Sequence, residues 1–229
     1  MIPGRTRLTF TSPAGPILQL KMRLLGISPM IWRRVLVPAS FTIQELHGVI
    51  QAAMGWEGLH LYEVRLRAVR YGSPELCTEP ADVPLESFRF RRHAKFTYIY
   101  DMGAWWEHEL RIEDRLEAEA GKRYPLCLSG QGACPPEDCG GPEDYQARRD
   151  EALSFAALEE LATMTRLLKE VVLDGRHELL DDQDRRWELE DTLERSEARQ
   201  PFLTEGFSRR EVNARFREDE HRRLMHQWY

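Results

Sequence analysis

"TIQELHGVIQAAMG", Thr42 to Gly55, is the stretch on which the fold turns. Thr42 and Glu45 stand at the spacing at which a hydroxyl and a carboxylate cap each other's backbone amides. Phe41, just before them, can staple onto Leu46. Ile43, Leu46, Ile50, Ala53 and Met54 recur at the spacing of one helical face. Gly55 stands where a helix leaves through the left-handed region. The stretch reads as one amphipathic helix with a defined start and stop. His47 lies beside the apolar stripe and reads as a partly buried histidine with a hydrogen-bond partner.

On either side of this helix the period changes to two. In "ILQLKMRLLG", Leu18, Leu20, Met22 and Leu24 alternate with Gln19, Lys21 and Arg23, the pattern of a half-buried strand. Gly26 and Pro29 break it, and "WRRVLV" reads as a second strand closed by Pro38. Beyond the helix, "HLYEVRLRAV" alternates again, and "RYGSPELCTEPADVP" is a loop of turn formers. "FRFRRHAKFTYIYDM" and "WWEHELRIEDRL" read as two more strands joined by a tight turn at Met102–Ala104. One helix among five strands predicts an α+β layer structure: a small antiparallel or mixed sheet under one covering helix. The order strand, strand, helix, strand, strand, strand is β-grasp-like.

From Ala147 onward the pattern is helical. "FAALEELATMTRLLKEVV" sets Leu158, Leu161, Leu167, Leu168 and Val171 on a broad apolar face. "RRWELEDTLER" and "SRREVNARFREDEHRRLMHQWY" are charged helices with narrow apolar stripes, the last opened by Ser208 and Glu211. Gly175, Pro201 and Gly206 mark the breaks. The expected organisation is an α+β core over 1–146 and a helical region over 147–229, packed on the core or appended to it.

No apolar run approaches the length that spans a bilayer, and "MIPGRTRLTF" lacks a secretory h-region, so a cytoplasmic protein without a membrane partner is expected. The formal net charge is −6, unevenly spread. Basic side chains outnumber acidic ones as far as Tyr100, and acidic ones dominate beyond it. Arg65, Arg67, Arg70, Arg89, Arg91, Arg92 and Lys95 form a basic group, the main support for a nucleic-acid partner. They fall on expected strands, where alternation alone sends some to solvent.

"CLSGQGACPPEDCGG", from Cys127, holds three of the four cysteines. Cys134 and Cys139 are spaced as a ligand pair can be, Pro135 and Pro136 stiffen the turn between them, and Gly140 and Gly141 let the backbone swing away. Cys127 is a third sulfur. His108 is the first choice for a fourth ligand of a structural zinc ion, with Cys77 or His60 behind it. Reduced cysteines under a stiff loop, or a disulfide, fit the same spacing. Glu137 and Asp138, inside the loop, can serve as metal ligands or acid/base groups but read chiefly as cap or turn residues whose oxygens accept backbone hydrogen bonds.

Several stretches together carry a resemblance: "ISPMIWRRVLVP", "LHGVIQAAMGWEGLHLYEV", "RYGSPE", "YIYDMGAWWEHEL", "RYPLCLSGQGACPPEDCGGPEDY" and "FSRREVN". In these the chain resembles the plasmid Ri open-reading-frame-three-like family. That family occurs on plasmids and as TnpR-like passenger proteins of insertion sequences, and the resemblance implies a role around transposition. It runs from Leu18 to Tyr145 and resumes from Phe202 to Asn213. Two departures stand out. Where the family has a His-x-His pair, this chain has His60, Leu61, Tyr62. Where the family has Asp-Phe-Gly-Asp, it has Asp101, Met102, Gly103, Ala104, followed by an additional Trp105.

These residues define the candidate sites. Cys127, Cys134, Cys139 and His108 are the expected zinc ligands. His60, Tyr62, Asp101, Trp105 and Trp106 are the expected binding residues, with Trp105 the aromatic most expected at the surface. Glu107 and His108 point to opposite faces of a strand and cannot converge without a bulge. The first expectation for function is a non-catalytic mobile-element protein that binds a protein partner, which the acidic C-terminal helices suit better than DNA. The alternatives are a metal-dependent enzyme using His60, Asp101 and His108, and a nucleic-acid-binding regulator using the basic half.

Overall fold

The computed structural model describes residues 15–203 and 206–226. The expected strands form: β1 (Ile17–Leu24), β2 (Trp32–Pro38), β3 (Tyr62–Leu66), β5 (Lys95–Tyr100) and β6 (Trp106–Leu116). Two more join them, β4 (Val69–Gly72) and β7 (Leu126–Gln131). All pair antiparallel in one seven-stranded sheet of order β4-β3-β5-β6-β1-β2-β7. The fold is therefore α+β. The β-grasp-like likeness goes no further than one helix on a sheet, because β4 and β7 extend it at both edges.

Alternation decides what each face carries. On the covered face lie Leu18, Leu20, Met22 and Leu24 from β1 and Trp106, His108, Leu110 and Ile112 from β6, all buried. The opposite face is polar and ion-paired: Arg34 and Gln19 both hold Glu113, and Lys95 holds Glu109.

Helix α1 (Ile43–Met54) starts and stops as its sequence specifies. The Glu45 amide donates to Thr42 Oγ1 at 3.1 Å, the Thr42 amide donates to Glu45 Oε2 at 2.8 Å, and Gly55 exits at φ +102°. Its burial exceeds that of a one-faced helix, since Gly48, Val49 and Ala52 are buried as well. The cause is a second layer. After α2 (Pro142–Ala152), α3 (Phe155–Leu168, prolonged by a wider turn over Lys169–Leu173) and α4 (Gln183–Leu203), the chain returns as α5 (Arg209–Arg217) and α6 (Glu220–Arg223) and covers the outer side of α1. Val212, Phe216 and Leu224 join the same apolar cluster as the sheet. The stretch 147–229 thus has two behaviours. α5 and α6 close the core, whereas α3 lies against α4 and keeps much of its apolar surface in water.

Residues Phe207–Asn213 work as a clamp on this second layer. Phe207 lies under the guanidinium of Arg33, 4.6 Å from ring centroid to cation. Ser208 caps α5 through the Glu211 amide. Asn213 pairs with the backbone of Cys127 as a neighbouring strand would: Oδ1 accepts from its N–H at 2.8 Å and Nδ2 donates to its carbonyl at 2.9 Å. This covers part of edge strand β7, whose unpaired amides would otherwise invite another chain. No helix among the described residues is long and apolar enough to cross a membrane.

Candidate functional site

Three segments far apart in sequence meet at one end of the sheet: the loop that follows α1, the β5–β6 turn, and the Pro-Pro loop between Cys134 and Cys139. Trp56 anchors the first to the third by donating from Nε1 to the Pro135 carbonyl at 3.0 Å. The carboxylate of Glu137 accepts from the Glu57 amide at 2.6 Å and from the Leu59 amide at 3.4 Å. It also accepts from the Tyr100 hydroxyl, which in turn takes the His60 amide at 3.2 Å. Burial, and then the carboxylate of Glu137, push the Tyr100 hydroxyl far above the ordinary phenol range, so it stays protonated and donates. Glu137 therefore serves a neighbouring loop and not only its own turn.

Beside this lattice, His60 faces two acids. Its Nε2 is 2.6 Å from Asp138 Oδ1 and 3.8 Å from Asp101 Oδ2. Asp101 and Asp138 both hold left-handed backbone, at φ +58° and +64°. Asp101 uses its other oxygen to close the turn, accepting from the Gly103 amide at 2.9 Å and the Ala104 amide at 3.2 Å. Gly141 makes the close approach of turn and loop feasible: a Cβ there would fall 2.4 Å from the Ala104 carbonyl oxygen. His60, Asp101 and Asp138 bring one potential ligand atom each to within 4.8 Å of one another, and they are the group of this kind found among the described residues.

The other expected site residues lie elsewhere. His108 is fully buried on the covered face, its Nδ1 3.0 Å from the Trp106 carbonyl and its ring edge-on to Trp56. Strand alternation puts it there, so it does not join His60 and Asp101, and Asp138 takes the third place. Cys127 sits in β7 and not in the loop, and Cys134 and Cys139 are free thiols like the other two cysteines. With His108 they form no three-ligand group among the described residues. Their neighbourhood is instead occupied by a buried cation. The Arg33 guanidinium donates to the carbonyls of Ala53, Trp32 and Gln131, and its charge acts on Cys134, Cys127 and His108. Burial pushes the Cys127 thiol up to about 11 and raises Cys134 and Cys139 too, with Arg33 offsetting part of the rise at Cys127 and Cys134.

Tyr62 and Trp106 are core residues, 3% and 1% exposed. Tyr62 stacks face to face on His47 at 3.8 Å. Trp105 is 42% exposed, with the guanidinium of Arg65 5.3 Å from its ring centroid. The basic group is largely tied down from within: Glu63 holds Arg65 and Arg70, Glu109 holds Lys95, and Arg67 donates to the Phe88 carbonyl.

Fold and site together define a class: an α+β protein with an antiparallel sheet, a helix enclosed between two layers, and a histidine–aspartate corner fed by three loops. The chain belongs to the plasmid pRiA4b ORF-3-like protein family, whose model matches residues 16–175. It is 41% identical over 138 residues to the uncharacterized protein y4hQ of Sinorhizobium fredii (strain NBRC 101917 / NGR234), a match covering 57% of this chain and 70% of that one. Among solved structures it is similar to the protein of unknown function MM3350 from Methanosarcina mazei Go1, at 31% identity and a TM-score of 0.57. That match covers 61% of this chain and 83% of the other.

Proposed function

We propose that this chain is a non-catalytic binding protein and that it engages a protein partner through α3, the partner surface being the same face of a second copy. The exposed seam of α3 carries this reading. Leu158, Leu161, Thr165, Leu168 and Val172 follow one another at alternating spacings of three and four residues, the pattern of a coiled-coil seam. The four apolar members are between 54% and 68% exposed. Met164 and Leu167 already face α4, so the seam is surplus to the contact within the chain. A contiguous apolar strip of this kind is a feature of interaction surfaces.

Symmetry and charge favour a second copy. Leu158 and Val172 are equidistant from Thr165, with Leu161 and Leu168 between, which suits a two-fold interface read the same way from both sides. Glu160 and Glu170 are held by Arg199 and Arg176. Of the remaining charges on α3 and its extension, Glu159 lies toward one end and Arg166 and Lys169 toward the other. An antiparallel copy sets acid against base, and a parallel one sets like against like. The plasmid setting of the family supports a regulatory place for such an assembly in a mobile element, transposition included. The internally paired basic group weighs against nucleic acid as the partner.

The experiment is light scattering and equilibrium sedimentation of the full chain up to about 100 µM, an affinity range within reach of a modest interface. The expected result is a dimer that Leu161→Glu with Leu168→Glu converts to a monomer of unchanged circular dichroism. A monomeric wild type, or a variant that still dimerises, overturns the proposal.

A further inference from the structure

We propose that His60, Asp101 and Asp138 are the protein ligands of a divalent cation that fastens the three loops at the end of the sheet. This goes beyond the binding role of α3 and does not depend on it.

The donor set comes first. One imidazole nitrogen and two carboxylate oxygens converge within 4.8 Å. One ring nitrogen, His60 Nε2, faces both acids. It reaches Asp138 at 2.6 Å and leaves Asp101 Oδ2 at 3.8 Å, beyond a hydrogen bond. A cation among the three would bind Nε2 and both carboxylates together. Among the described residues, the ion pairs of Asp101 and Asp138 both run to His60.

The setting is also built. Asp101 is fixed by two amides that bind its other oxygen, which leaves Oδ2 aimed at His60. The His60 backbone is held by Tyr100, and Tyr100 is bonded to Glu137, the residue next to Asp138. Outer contacts of this kind fix the direction of metal ligands. The side chains of His60 and Asp138 keep 30% and 63% of their surface open, so water can complete the coordination.

The chemistry selects the ion. Calcium wants six to eight oxygens. One imidazole with two carboxylates and open positions suits a first-row ion such as Zn2+, Mn2+ or Co2+. Thiolates are absent from the set, which separates this site from any on the cysteines.

Cobalt tests this directly, because its spectrum reports the ligand atoms. The full-length protein, purified with chelator and then freed of it, is titrated with Co2+ and followed by absorbance and calorimetry. One equivalent is expected to bind, with the weak visible bands of nitrogen and oxygen ligands, no thiolate-to-cobalt charge transfer, and displacement by Zn2+. His60→Ala and Asp138→Asn each weaken binding by at least about tenfold, the scale set by removing supporting groups at metal sites. Both residues are partly exposed, so the metal-free melting curves of these variants should match wild type and separate ligation from folding. Absence of saturable binding overturns the proposal, as does equal binding by the variants. A charge-transfer band lost in Cys139→Ser also overturns it and moves the ion to the cysteines.

Discussion

Gly48 of α1 lies against the backbone of His221 in α6, so close that a Cβ on Gly48 would stand 1.9 Å from the His221 carbonyl oxygen. The obstacle is backbone, which cannot rotate away as a side-chain tip can. Gly48→Ala is therefore expected to destabilise the protein by about 1–3 kcal/mol, the usual cost of overpacking, even though alanine favours a helix. Urea denaturation measures the loss. Hydrogen exchange should show protection falling first over 220–224. An unchanged midpoint would mean that α6 does not sit on α1.

The closed interior also sets the response to acid. Burial lowers the pKa of His47 to about 3 and that of His108 to about 4. In the unfolded chain both titrate near about 6.5. Their contribution to stability is whole above that pH, and it is lost as pH falls through the folded values, because the unfolded state takes up protons that the folded state refuses. Each group contributes a slope of at most about 1.4 kcal/mol per pH unit in that window. Melting temperature should fall from pH 7 to pH 4 and change little from pH 7 to pH 8. The slope should be shallower in His108→Gln; an equal slope would assign the acid sensitivity to other groups.

Asn213 gives a test of the clamp on β7. Its two hydrogen bonds to the Cys127 backbone are replaced by nothing in Asn213→Ala, at an expected cost of about 1–3 kcal/mol. Asn213→Asp should fall between alanine and wild type, since its carboxylate accepts from the Cys127 amide but cannot donate to its carbonyl. Ranking the three proteins by chemical denaturation settles the point. If aspartate and alanine are equivalent, the accepted bond contributes nothing.

The four thiols divide by environment. Cys77 is exposed, whereas burial raises Cys127, Cys134 and Cys139 and keeps them from the nucleophilic thiolate form. Ellman's reagent at neutral pH should titrate one thiol quickly and the other three only on unfolding. More than one fast thiol would show that the Pro-Pro loop opens readily.

Where the chemistry is local, the sequence is explicit. Thr42, Glu45 and Gly55 announce the ends of α1 because a cap involves neighbours only. Alternation alone separates Glu107 from His108. Strand β4 is hidden because its hairpin turns on Arg67 and Ala68, both at positive φ, where glycine or asparagine is the usual signal. Strand β7 is hidden because "LCLSGQ" carries weak alternation and draws its support from β2 on one side and Asn213 on the other. The candidate site is half legible. His60 and Asp101 stand out by residue type, but Asp138 reads as a turn residue, and its 2.6 Å contact spans 78 positions that no local pattern bridges. Tyr62 and Trp106 look like recognition aromatics by type alone, and only the pairing of β3, β5 and β6 turns them inward.

The enclosure of α1 between sheet and C-terminal helices has a consequence for biosynthesis. The helix emerges from the ribosome early, with β1 and β2, while β6, the second partner of β1, follows much later and α5 and α6 later still. Until those arrive, one strand edge and the Gly48 side of the helix stay uncovered on the nascent chain. Native closure is thus a late event of translation, since the outer side of the helix is covered only after Arg209–Arg217 has appeared.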